Sequence, residues 1–168
     1  MKILRMLIVL LLSNLLFAQA DLNEAKKLIN QEKFEKAKQV LLSYINSKPK
    51  DGLGYFYLGE IEYKHYMQDS VGNRNEQLLQ NAKNWYLIGI KRDKRTDLNY
   101  FGAAKVYALT NHKDSLDIMI KRGLDYNNDI ENVNDLLNSY NVFLEIENVN
   151  LDKAKEILDR ANELDRTE

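Results

Sequence analysis

From Asp21 onward, apolar residues return at steps of three and four, and no stretch alternates as a half-buried strand would. The last segment shows the pattern most cleanly. Leu151, Ala154, Ile157, Leu158, Ala161 and Leu164 fall on one helical face, and Asp152, Lys153, Lys155, Glu156, Asp159, Arg160 and Glu163 cover the other. The same reading predicts helices over 21–30, 34–45, 52–66, 78–90, 97–109, 115–123, 136–146 and 151–164, joined by short polar turns. Pro49, in Ser47-Lys48-Pro49, cannot continue a helix and closes the first two. The fold class is all-α, with the helices arranged as consecutive antiparallel hairpins.

A period then appears. Ala25 and Gly59, each the small residue in the middle of a first helix, are 34 positions apart, and so are Ala82 and Leu116 near the start of second helices. Gly59 and Ala82 are separated by 23 positions where Ala25 and Ala37 are separated by 12. An 11-residue insertion in the second hairpin, within Lys64 to Gln77, restores the phase; it extends the third helix past Tyr66 and then turns at 69–75. A mid-helix glycine costs about 1 kcal/mol against alanine, so Gly59 needs a packing reason. Close crossing of two helices supplies one, since interaxial distance follows side-chain size. The expected crossings are Ala25/Ala37, Gly59/Ala82 and Ala104/Leu116.

These residues resemble the tetratricopeptide repeat, whose 34-residue unit reads Trp-x2-Leu-Gly-x2-Tyr, then Ala-x3-Phe, then Pro. Tyr55, Leu58 and Gly59 match its first half; Ala37, Leu41, Tyr44 and Pro49 match its second half in the first repeat. Ala82 and Tyr86 follow in the second repeat, Tyr100, Ala103, Ala104 and Tyr107 in the third, and Ala154, Leu158 and Ala161 in the fourth. Glu62, Lys94 and Leu116 depart from the pattern, and the connection from Leu116 to Ala154 is lengthened to 38 positions. The resemblance implies a right-handed superhelix of about four hairpins spanning 21–168, closed by the polar outer face of the last helix.

Residues 1–20 read differently. Lys2 and Arg5 precede an apolar run from Met6 to Phe17, and Ala18-Gln19-Ala20 places small residues where a signal peptidase cuts. The run is shorter than the ~20 residues a membrane span needs. The expectation is a signal peptide over 1–20, cleavage after Ala20, and a periplasmic or secreted domain with no membrane association after cleavage. The 168-residue chain contains no cysteine, so neither a disulfide nor a lipid-modified cysteine is available, and the core alone must hold the exported domain. Without Lys2 and Arg5, 22 basic residues stand against 25 acidic ones, a net of −3. That balance gives no basic field for nucleic acid.

No catalytic constellation emerges. His65 and His112 lie in different hairpins, and Glu62-x-x-His65 lacks the second such motif and the further carboxylates of a di-metal site. Glu62 and His65 read as solvent-facing. The segment 69–76 lacks the alternating acids of a calcium loop. No serine sits in a nucleophile elbow, and no phosphate-binding loop or dinucleotide fingerprint occurs. The chain reads as a non-enzyme with no cofactor and no metal.

What remains is contact with protein. The resemblance implies a concave wall built by the first helix of each hairpin: Leu22, Lys26 and Ile29, then Phe56, Glu60 and Tyr63, then Leu98, Phe101, Lys105 and Leu109. Leu22, Phe56 and Phe101 form an apolar ladder there, the kind of surface that anchors a helix or an extended peptide. Family members that clamp a terminal carboxylate use Lys, Asn and Arg at groove positions where this chain has Leu22, Tyr57, Leu98 and Gly102, with Lys26 for an Asn, so a carboxylate clamp is not expected. The expected role is a non-catalytic interaction or assembly adaptor binding a protein or peptide. The alternative is an accessory subunit of an envelope enzyme.

Overall fold

The computed structural model describes residues 21–69 and 74–166, so residues 1–20, where a signal peptide is expected, and part of the 69–75 turn lie outside the described residues. Eight helices and no strand occur among the described residues: α1 Leu22–Asn30, α2 Phe34–Ser47, α3 Gly52–Gln68, α4 Glu76–Arg92, α5 Asp97–Leu109, α6 Lys113–Asn127, α7 Val133–Leu144 and α8 Leu151–Asp165. None is long and apolar enough to cross a membrane.

Local chemistry sets the ends. Asp21, Asp51, Asn75, Asn132 and Asn150 each accept a backbone N–H from the first turn of the helix that follows, at 2.8–3.2 Å. Two helix–helix turns are the same device. Glu32 and Asn111 stand in the left-handed region at φ 56° and 55°. Lys33 N–H reaches back to Leu28 O and His112 N–H to Tyr107 O, both at 2.9 Å. This six-to-one bond is the Schellman closure of a helix C-terminus. It also explains why α6 starts at Lys113, two residues before the apolar period becomes visible.

The chain forms two compact units, Met1–Pro49 and Lys50–Glu168, divided at the proline. In the first, α1 packs on α2, and Ala25, Ala37 and Leu41 are fully buried. In the second, α3 packs on α4, α5 on α6 and α7 on α8, while α5 also touches α3, α4 and α7. α5 is therefore a central rod. Residues 97–106 are all buried, polar ones included. Such a helix has no amphipathic stripe because it has no solvent side.

Glycine lets these rods interlock. A Cβ on Gly59 would lie 2.7 Å from Tyr86 Cδ1, and one on Gly102 would lie 2.5 Å from Tyr86 Cε1. The Tyr86 ring of α4 is thus held between a glycine of α3 and a glycine of α5. The neighbour that Gly59 admits is Tyr86, one helical turn beyond the expected Ala82. Gly123 admits Phe101 in the same way, a Cβ there lying 2.8 Å from Phe101 Cδ1.

Candidate partner-binding surface and the buried polar network

The eight residues expected to contact a partner divide between the two units. Leu22 and Lys26 are half-buried on α1. Phe56, Glu60 and Tyr63 on α3, and Leu98, Phe101 and Lys105 on α5, are 0–8 % exposed. The outward ladder becomes inward packing: Phe56 lies in one apolar cluster with Tyr63, Tyr86 and Leu98, and Phe101 lies in another, edge-on to Phe143 with ring centroids 5.1 Å apart. Of the two further wall residues, Ile29 is buried and Leu109 is half-buried. Glu62, read from the sequence as solvent-facing, is 3 % exposed, and His65 is half-buried.

The two charged residues among the six have a structural purpose. Lys105 donates to Glu60 Oε1 at 2.6 Å and to Glu145 Oε2 at 2.8 Å, with its Nζ 4.4 Å from the centre of the Tyr63 ring. Tyr86 donates its hydroxyl proton to the same Glu60 oxygen at 2.6 Å. Burial works against the ammonium, yet the two carboxylates outweigh it and hold the Lys105 pKa above its ordinary value. Burial, then Glu60, pushes the Tyr86 hydroxyl well up, so it stays a proton donor. Such a cation is no nucleophile or general base at neutral pH. The network ties α3, α4, α5 and the residue that ends α7.

A second chain of polar contacts runs across the other end of α5. Asn127 donates to Asp97 Oδ2 at 2.8 Å. Arg160 of α8 donates to Asn127 O and Oδ1, both at 2.9 Å, and to Asn128 O and Ile130 O at 3.0 and 3.1 Å. A guanidinium at the α6 C-terminus also suits the partial negative charge there. Burial raises the Asp97 carboxyl above its ordinary value, against hydrogen bonds from Asn127 and Ser139. Asn99, fully buried, donates to Gly52 O at 3.0 Å and packs on Gly89, where a Cβ would lie 2.5 Å from its Cγ.

The surface offers two other features. A cleft of about 740 Å3 between α6 and α8 has Ile120, Leu124 and Ile157 among its lining, with charged residues of both signs around them. On α7, Leu137 and Leu144 are 36 % and 38 % exposed and seven residues apart, hence on one helical face, with half-buried Tyr140 beside them. No cluster of three or more His, Asp or Glu side chains able to hold a metal ion occurs among the described residues.

Glu145 and Asn127 carry no signal in the sequence, and Arg160, expected on the polar outer face of the last helix, is half-buried and turned onto the α6 C-terminus. Opposite charges at Glu60 and Lys105, each one residue past a small crossing residue (Gly59, Ala104), were the signal for the buried pair. Comparison with protein-family models and with curated proteins gives no match, so the reading of this chain rests on its own residues and geometry.

Proposed function

We propose that this chain is an exported, non-catalytic adaptor that binds a protein or peptide, built as four tetratricopeptide-like hairpins with an 11-residue insertion in the second. The observation that carries the repeat is the pair of equivalent turns at Glu32 and Asn111, which share backbone conformation and hydrogen-bond pattern. The interlock of Tyr86 with Gly59 and Gly102 supports it further, since a bulky residue of a second helix is received by small residues of first helices on both sides.

In this reading Phe56, Glu60, Tyr63, Leu98, Phe101 and Lys105 are the framework of the scaffold rather than its contact points, because an anchor must be free to bury surface on binding. The α7 face of exposed Leu137 and Leu144, with half-buried Tyr140 between them, takes that part. The layout of residues 1–20 supports export, and intact-mass measurement of the mature protein should give a chain beginning at Asp21. Affinity purification of the tagged full-length protein from its native cell tests the adaptor role. A polypeptide retained in fixed stoichiometry is expected, and recovery of the protein alone would count against it.

A further inference from the structure

The α7–α8 pair is attached to the rest of the Lys50–Glu168 unit in an uneven way. Its helices pack on each other, and α7 lies along α5. On the opposite side the cleft of about 740 Å3 runs between α6 and α8. The α5–α7 seam is apolar in its middle, where Phe101 meets Phe143, with Ala104 and Leu136 buried in the same cluster. One end of it is polar, closed by Lys105–Glu145. Beside the cleft a second polar chain, Asp97–Asn127–Arg160, joins α5, the α6 C-terminus and α8 through neutral acceptors on Asn127, Asn128 and Ile130.

We propose that α7–α8 is a releasable cap on α5, latched by the ion pair between Lys105 and Glu145. The charges explain why this contact, and not its neighbour, is the one that lets go. Lys105 has two carboxylate partners, so the cluster carries one negative charge in excess. The Glu60 side chain is 7 % exposed and stays with Lys105, whereas Glu145 is 46 % exposed and occupies the C-cap of α7. Departure of Glu145 leaves a neutral buried pair, Lys105 with Glu60, rather than an orphaned cation. The α3–α6 core therefore survives the opening, and the apolar seam around Phe101 and Phe143 is what it uncovers. Glu145 is a positioning residue for the cap.

Hydrogen exchange on the full chain, read by segment, tests the latch. Glu145→Gln keeps a neutral acceptor for Lys105 and removes the charge. Amides of 133–165 should then exchange about tenfold faster, while those of α3 and α4 stay within about twofold of wild type. In wild type, 1 M salt should accelerate the same cap amides by screening the half-exposed carboxylate, and Glu145→Gln should abolish that salt effect. Equal acceleration along α3–α8, or no change in 133–165, overturns the proposal. If Glu145→Gln does not fold, the wild-type salt comparison decides: selective acceleration of 133–165 upholds the latch, and its absence refutes it.

Discussion

The ring of Tyr86 fills the space that a side chain on Gly59 would need, with a Cβ at residue 59 falling 2.7 Å from Tyr86 Cδ1 and 2.8 Å from its Cζ. Tyr86 is fully buried and its hydroxyl is fixed on Glu60, so the ring has nowhere to go. Gly59→Ala should therefore destabilise. Overpacking costs about 1–3 kcal/mol, and the gain in helix propensity returns only about 1 kcal/mol. Gly102→Ala presses on the same ring from α5 and should behave alike. Urea unfolding of both variants checks this; midpoints at or above that of wild type would show the ring to be movable.

Glu32 calls for the opposite change. A non-glycine residue in the left-handed region is strained, and the Schellman position favours Gly or Asn. Asn111 already meets that preference at the corresponding turn. Glu32→Gly should raise stability by about 1 kcal/mol, read as a higher melting temperature, while Asn111→Gly should change it by much less.

Lys105→Met should be among the most damaging single substitutions. It leaves Glu60 buried without its cation, a loss of about 3–5 kcal/mol for a broken buried pair. Adding Glu60→Gln should recover part of that loss, because the uncompensated charge is then gone. Denaturation of Lys105→Met, Glu60→Gln and the double variant measures the coupling, and additive losses would contradict the buried-pair account.

Asp97 gives a pH signature. Its folded pKa is raised above the ordinary 3.8 by burial, so the folded state binds the proton more tightly than the unfolded chain. Stability from this group consequently falls as pH rises from 3.8 through the raised value, and acidification over that window relieves the penalty. Asp97→Asn, which can still accept from Asn127, should remove this contribution. The difference in unfolding midpoint between variant and wild type should grow in the variant's favour as pH rises above the ordinary 3.8, and level off beyond the raised folded value; a constant difference would contradict the raised pKa. Lys105 titrates in the alkaline range with the same sign. Its stabilising contribution is present below the ordinary 10.5 and is lost as pH rises through the raised folded value.

The helices, their order and the break at Pro49 are legible in the sequence, because a 3.6-residue period and polar caps act locally. Side-chain destinations are less so. Gly59 advertised a close approach, but which neighbour fills the space depends on the register between α3 and α4. The repeat resemblance puts Lys105 and Glu60 on an open wall, where charged residues ordinarily belong. With Glu60 buried on α3 and Lys105 in the buried stretch of α5, the same charges must find each other. Leu98, Phe101 and Phe56 follow the same logic: an apolar ladder looks alike whether it faces a partner or the next helix.

Buried first-helix residues build the scaffold, and we propose that an exposed α7 face carries the partner. The most direct test is retention of the co-purifying polypeptide by Leu137→Ser/Leu144→Ser compared with wild type, at matched far-ultraviolet circular dichroism. The account predicts an intact helical fold and loss of the partner. Undiminished retention by the double variant would contradict it.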